Sequence, residues 1–537
     1  MLSVNFKFAD LPDNLNCLPF ESCREFIESA RWFQNKTGKI SNLKIFDRIL
    51  IDHSPNRLAL LLLCRIESAD KSNITNYSFY HVPIIATLGE HQEIEGTRIT
   101  RLKFLDGTGE IIDAVNVLSY VSTIYTLLEK EASLTGDQGV FKLTKIQGDQ
   151  LVAANQLSAQ FSHSVTLVKR DDVVKTFRHL ALGRNADLVI AIKLSASGWL
   201  GHIPTTFGFI SYTTNRDEEY TLALFQKFVP NEGNAWEFTL DWLRGYYQKL
   251  YSRLQTGTID KKALTRETEE LATPYLKQMR KLGETIAFLH HHLSIITDAD
   301  FSSEEISSED IQLWCTLMQE KIDNATATVS QHLPQLNKDV KQLAKTFIME
   351  APNLKKIIQE LITIGPCLGK KCRIHQDLHL GQILKTKKDF VILDFEGEPV
   401  NKISTRSHKQ SPLQDLAGMV RSFNYAAYKG LFSFISHLNN KGEDLSEQDY
   451  ACLTWAGQLW LSIVTQAFLQ AYRHRANVEQ TGLVPVEDKH FNIALAVFTL
   501  AKAVYEVMYE INNRPEWLQI PLAGIINSLH NLKEVGV

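Results

Sequence analysis

The chain has 537 residues, 44% hydrophobic and 22% charged, the balance of a soluble globular protein long enough for more than one folded core. A net charge of −4 excludes a bulk electrostatic pull toward nucleic acid or an anionic membrane surface, and neither is an expected partner. The seven cysteines, Cys17, Cys23, Cys64, Cys315, Cys367, Cys372 and Cys452, are odd in number and scattered, which argues for reduced thiols and against a disulfide framework or a zinc site. No basic stretch leads into an apolar segment at Met1–Asp10, and no apolar run reads as transmembrane length, so a cytoplasmic protein is expected.

In chain order, an amphipathic stretch from Phe26 to Phe33 precedes strand-like runs at Leu43–Phe46, Leu58–Ile66 and Tyr77–Ile85. Ile111–Glu131 has helical spacing. Short strands return at Val165–Val168, Val173–Phe177, Phe207–Tyr212 and Leu222–Val229, and Pro230-Asn-Glu-Gly233 then breaks the chain. Beyond it the apolar residues fall three or four apart over Phe238–Leu254, Thr273–Leu293, Glu309–Leu333, Leu416–Phe434, Tyr450–Tyr472 and Ala494–Ile511. Strands before a hinge and helices after it predict two lobes.

The chemistry concentrates in Arg373-Ile-His-Gln-Asp-Leu-His-Leu-Gly-Gln382, followed by Val391-Ile-Leu-Asp-Phe-Glu-Gly-Glu-Pro399. Phosphoryl transfer needs a carboxylate to orient the acceptor hydroxyl, an amide a few residues on to help hold magnesium, and a further Asp to bridge metal and phosphate. Asp377, Gln382 and Asp394 occur in that order, and two short strands joined by the charged turn Lys385–Asp389 would carry Gln382 and Asp394 to the same end as Asp377. ATP and Mg2+ are therefore the expected cofactors. Lys175, in the strand-like Asp172–Arg178, is placed to meet the α and β phosphates, with Asp187 as its only nearby acidic partner. Phe161–Ser164 is the candidate phosphate loop although it lacks glycine, and Leu224–Val229 is the candidate hinge, with Phe228 and Val229 near the adenine.

These residues bring a resemblance with them. The chain resembles the bacterial maltokinases, which belong to the aminoglycoside-phosphotransferase-like kinases. The likeness is spread over nearly the whole length, through Arg31-Trp-Phe33 with Lys36, Phe228-Val-Pro-Asn231, Leu282–His290, His375–Gln382, Asp394-Phe-Glu-Gly-Glu-Pro399, Ser411–Phe423 and Tyr505–Trp517. It implies an α+β, bilobal protein-kinase-like (aminoglycoside phosphotransferase-like) fold with an N-terminal α+β cap: residues 1–135 as cap and intermediate region, 136–229 as the ATP-binding N-lobe and 230–537 as the helical C-lobe. It further implies transfer of the γ-phosphate of ATP to maltose, giving maltose 1-phosphate in trehalose-linked α-glucan metabolism, with a trehalose synthase as a candidate partner. Asp377 would be the base, Gln382 and Asp394 the magnesium ligands and Lys175 the phosphate lysine. Two departures stand out: Gln376 where such kinases usually have Gly, and Val189 where they usually have a helix Glu.

In Ala494–Ile511, Lys502, Tyr505 and Tyr509 share one side, at spacings of three and seven. By the resemblance they form a sugar-binding face, with Arg514 and Trp517 just beyond it, while Glu396 and Glu398 either bond the sugar or organise the metal. Asp415 or Arg421 is expected to brace the catalytic loop. His290-His-His292 reads as a polar helix end, and Lys370-Lys371 and Lys385 with Lys387-Lys388 read as solvated turn charges. Two other readings remain open from sequence: an aminosugar (glucosamine) kinase of the same fold, and a catalytically weak pseudokinase that scaffolds a partner.

Overall fold

The computed structural model describes all residues except 1, 19–20, 31, 34–39, 70–74, 90–95, 147–155, 161–163, 169–171, 200, 257–260, 399–407 and 535–537. The candidate phosphate-loop residues Phe161–His163, and Arg31, Lys36 and Pro399 of the resemblance, lie outside the described residues. The protein is a mixed α+β structure of two compact units. Unit 1 comprises Met1–Ile192 and Pro204–Val229, and unit 2 comprises Lys193–Ile203 and Pro230–Val537.

Unit 1 begins with β1 (Leu2–Ser3), the short α1 (Leu11–Asn14) and α2 (Glu21–Ser29). Its first sheet continues through β2 (Ile40–Ser54), β3 (Arg57–Ala69), β4 (Thr75–His81), β5 (Ile84–Leu88), β6 (Arg98–Phe104) and β7 (Gly107–Asp113). The order is β1-β6-β7-β5-β3-β4, with β2 also on β3, and only the β1–β6 pairing is parallel. The continuous apolar run of β3 is explained by burial on both faces. Because side chains alternate along a strand, Ala59, Leu61 and Leu63 enter one core while Leu58, Leu60, Leu62 and Cys64 enter another, closed by Phe8, Leu11 and Ile27. Ile111–Asp113, read as the start of a helix, instead completes β7, and α3 (Leu118–Glu129) begins five residues later. The β-branched pair Ile111-Ile112 favours the half-buried strand.

The second sheet of unit 1 is antiparallel and contains β8 (Ser133–Thr135), β9 (Gly139–Lys145), β10 (Gln156–Gln160), β11 (Ser164–Val168), β12 (Asp172–Thr176), β14 (Thr206–Thr214) and β15 (Glu219–Lys227), in the order β10-β11-β12-β15-β14-β9-β8. Between β12 and β14 come β13 (His179–Leu180), which closes the first sheet against β4, and α4 (Ala186–Ala196). One core joins both sheets and α3, through Ile85, Tyr120, Ile124, Phe141, Tyr212 and Phe225. Asp47 pins this junction. Fully buried, its carboxylate accepts hydrogen bonds from the Asp137 and Gln138 amides and the Tyr212 hydroxyl at 2.8, 3.0 and 2.7 Å.

His81, at the end of β4, is also fully buried. Burial first, and the adjacent Arg178 guanidinium second, lower its pKa to about 3, with the Leu222 backbone only partly opposing them. Since the unfolded imidazole titrates near 6.5, the unfolded state binds the extra proton between those values. Stability present above pH 6.5 is therefore lost on acidification toward pH 3, at up to ~1.4 kcal/mol per pH unit for this one group. Urea unfolding at pH 7 and pH 5 should show this loss, and His81→Leu should reduce it.

Unit 2 is mainly helical: α5 (Ala235–Thr256), α6 (Lys261–Ser294), α7 (Ser308–His332), α8 (Lys338–Thr363), α9 (Leu413–Asn440), α10 (Glu447–Val478), α11 (Asp488–Asn513) and α12 (Gln519–Glu534). Two small antiparallel ribbons interrupt the helices: β16 (Glu304–Glu305) with β17 (Lys370–Lys371), and β18 (Ile383–Lys385) with β19 (Phe390–Ile392). The apolar stretch of α11 corrects the expectation of no membrane-length run: by length and hydropathy it meets that criterion, but 56% of it is buried in the protein. It packs against α7, α8, α9 and α12, so its apolarity serves a core.

The expected solvated turn charges hold at Lys387 and Lys388, which are exposed, but not at Lys371 or Lys385. Lys371 pairs with Asp310 at 2.7 Å, while Lys385 is buried, its ammonium over the rings of Phe238 and Phe390 at 5.7 and 5.6 Å. As the last residue of β18, Lys385 is drawn inward by strand alternation, and the two ring faces stabilise its charge there.

Candidate active site

The loop His375–Gln382 is tied down from several sides. The Asp415 carboxylate, at the first turn of α9 and almost fully buried, accepts the His375 and Gln376 amides at 2.8 Å each. The same carboxylate meets His290 Nε2 at 3.1 Å, and His290 Nδ1 meets the Tyr472 hydroxyl at 2.8 Å. His290 is thus a buried bracket for the loop anchor and no polar helix end; of the two residues expected to brace the loop, Asp415 does so. Arg421 instead joins α9 to α11 through Glu506 at 2.7 Å, and donates to Asn424 within α9 at 2.9 Å.

His375 Nε2 lies 2.7 Å from the Leu393 carbonyl, which must accept; its Nδ1 is then the acceptor for the Asp377 amide at 3.3 Å. Gln376, between them, has φ of +68°, and Asp394 has +64°. A left-handed conformation costs a non-glycine residue about 1–2 kcal/mol, which gives the glycine expected at 376 a physical reason. Here the Gln376 side chain donates to the His408 carbonyl at 2.9 Å.

The Gln382 amide nitrogen of the side chain donates to Asp394 Oδ2 at 3.0 Å, and carboxylate oxygens of Asp394 and Glu396 lie within 4.8 Å of each other. This is an all-oxygen donor set, with the Gln382 carbonyl left over, and it suits a hard divalent cation such as Mg2+. On the other side of the loop, Lys502 of α11 reaches Asp377 Oδ1 at 3.4 Å and forms a short ion pair with Glu398. Burial disfavours the Lys502 ammonium, but Glu398 and Asp377 more than offset it and hold its pKa above the ordinary lysine value. Burial, reinforced by Glu398, likewise raises the Tyr505 phenol.

Asp377, Glu398, Lys502 and Tyr505 line a cavity of about 300 Å³ together with Trp314, Leu317 and Met318 of α7 and Phe498 of α11. Polar groups and apolar carbon in one cavity match the two kinds of surface a sugar ring offers. The α7 wall carried no sequence signal beyond helical spacing. Tyr509 and Arg514 are not among the lining residues: Tyr509 is exposed, and Arg514 grips Glu510 through two bonds of 2.9 and 3.0 Å while its guanidinium lies over the Tyr509 and Trp517 rings. The sugar-binding face read from α11 is therefore divided, with Lys502 and Tyr505 at the cavity and the rest elsewhere.

Gly418 sets the approach of α9 to this loop. A Cβ there would stand 2.4 Å from the Leu378 carbonyl, beside Asp377. Gly418→Ala should displace Leu378, cost about 1–3 kcal/mol and lower turnover at least tenfold, checked by chemical unfolding and steady-state kinetics.

In unit 1, Lys175 of β12 and Asp187 in the first turn of α4 are both buried and pair at 2.8 Å. The Asp187 amide bonds the Asn185 side chain at 2.8 Å, so the acid is fixed at the helix N-terminus, where the helix dipole favours a negative charge. Position 189 is a valine with no charge to offer, and Asp187 is the acid that pairs with Lys175. Leu224–Lys227 belong to β15, bonded on both sides by β12 and β14, which narrows the irregular exit from the sheet to Phe228 and Val229.

No family model matches the chain. Among curated proteins it is 22% identical over 332 residues to a glucosamine kinase of Streptacidiphilus jiangxiensis, covering 62% of each chain, and 22% identical over 357 residues to a glucosamine kinase of Mycolicibacterium smegmatis, covering 66% of this chain and 74% of that one. The match thus spans less than two thirds of the Streptacidiphilus protein. Among solved structures, a glucosamine kinase in complex with glucosamine, ADP and inorganic phosphate superposes with a TM-score of 0.59 at 16% identity, over 94% of this chain and 98% of that one. A glucosamine kinase in crystal form A gives a TM-score of 0.60 at 16% identity, over 94% of this chain and 97% of that one. The chain shares the fold of these structures. The names they carry are glucosamine kinase, where the residues had suggested maltokinase.

Proposed function

We propose that this protein is an ATP-dependent sugar kinase, with glucosamine the first acceptor to test. The observation that carries the reading is the meeting of Asp377, Gln382 and Asp394 on one loop and ribbon, beside a sugar-sized cavity lined by Lys502 and Glu398. The glucosamine kinase relatives, and a solved one holding glucosamine, ADP and phosphate, support the same class and move the preferred acceptor from maltose to an aminosugar. Nothing in those names supports maltose, trehalose metabolism or a trehalose synthase partner.

In this reading the fold is protein-kinase-like, and unit 1 binds the nucleotide. Lys175, fixed by Asp187, contacts the phosphates, and the backbone at Phe228 and Val229 meets the adenine. Gln382, Asp394 and Glu396 would hold Mg2+, which when bound neutralises charge developing on the transferred phosphoryl group. Asp377 orients the acceptor hydroxyl and accepts its proton as the oxygen–phosphorus bond forms and the γ-phosphate leaves ADP. Lys502 holds Asp377 and Glu398 in place and offers its remaining hydrogen to the sugar. The direct test is ADP release with glucosamine, glucose and maltose under ATP and Mg2+. Turnover of glucosamine above the other sugars supports the reading; turnover of maltose alone restores the first expectation, and no ADP release with any sugar overturns the kinase reading.

A further inference from the structure

We propose that unit 1 carries a second ligand site, for an aliphatic monocarboxylate, in the cavity between α2 and the first sheet. This cavity has a volume of about 520 Å³ and lies wholly within unit 1. Its walls are Phe26 and Ile27 of α2, Ile45 of β2, Leu62 of β3 and Ile84 of β5, with further aliphatic side chains between them. Well-packed interiors leave few voids larger than a water molecule, and apolar walls left apart forfeit dispersion contact that an aliphatic chain between them restores. Its size falls in the range of small-molecule sites, which likewise combine apolar walls with a few placed polar groups.

The polar groups select the ligand's charge. Lys44 is exposed at the rim and, among the described residues, makes no ion pair; Asn42 stands two residues away on the same lining. Among the described residues, no carboxylate lines the cavity. A chain with an anionic end thus fits in one orientation, tail inward and carboxylate at Lys44, whereas a cationic amphiphile meets a like charge. Cys23, half-buried on α2, also lines the cavity and reports occupancy through its thiol.

The experiment uses the full chain and decanoate. Calorimetry should show one saturable site, and peptide mass spectrometry should show decanoate slowing N-ethylmaleimide labelling of Cys23 at least fivefold while exposed Cys367 of unit 2 is unchanged. Lys44→Ala should weaken decanoate roughly fivefold and leave decanol unaffected, because only the carboxylate uses the ammonium. Ile84→Phe, its fold checked by circular dichroism, should fill the cavity and abolish both. Absence of saturable decanoate binding, equal protection of Cys23 and Cys367, equal loss of decanoate and decanol in Lys44→Ala, or undiminished binding to folded Ile84→Phe would each overturn the proposal.

Discussion

Asp377→Asn should lower turnover of the preferred sugar by about 10³-fold while leaving the fold and nucleotide affinity unchanged. The amide keeps the size of the carboxylate and an oxygen to face the acceptor hydroxyl, but it cannot take the proton as the new bond forms. Lys502 retains Glu398 as its partner, so the replacement leaves no buried charge unpaired. ADP release measures the chemistry, and thermal unfolding with and without ATP controls for the fold. A variant within tenfold of the parent would move the proton to another acceptor and remove Asp377 from the centre of the mechanism. A variant that loses nucleotide binding as well would show that its effect is structural.

The part of this site that was legible in the sequence is the part built from near neighbours. Asp377, Gln382 and Asp394 lie within a short span whose two strands and turn set their geometry, so spacing alone places them together. Lys175 and Asp187 are similarly close in the chain, and a strand followed by a helix start brings them into contact. What spacing does not carry is the rest of the cavity lining. Lys502 is 125 residues from Asp377, and the α7 side chains that share the lining have the same periodicity as any core helix.

The misreadings share one physical origin. Lys385 and His290 were assigned to solvent because their residue types usually belong there, yet each has found partners that burial demands: two aromatic faces for the first, a hydroxyl and a carboxylate for the second. The resemblance puts Tyr509 on the sugar face with Lys502 and Tyr505, but one further turn along α11 it lies outside the cavity lining and beneath the Arg514 guanidinium. Periodicity identifies a face; which part of that face meets the cavity depends on the packing of α11 against α7 and α9.

Asp415 should prove the least replaceable residue for stability. Its two oxygens serve two backbone amides of the catalytic loop and one imidazole, in a site almost without solvent access. Asp415→Ala leaves those donors without acceptors and opens a void, at a cost of about 3–5 kcal/mol. Asp415→Asn has the right shape but only one acceptor oxygen, so one amide must face an NH2 group, and about 2–3 kcal/mol should be lost. The loss has a functional counterpart, because the anchored amides belong to His375 and Gln376, and His375 in turn receives the Asp377 amide. Even where Asp415→Asn remains folded, Asp377 is less well held and turnover should fall more than tenfold with a smaller change in sugar KM. Urea unfolding and steady-state kinetics on the pair of variants separate these effects: a folded Asp415→Asn protein with normal turnover would mean that the loop keeps its shape without this anchor.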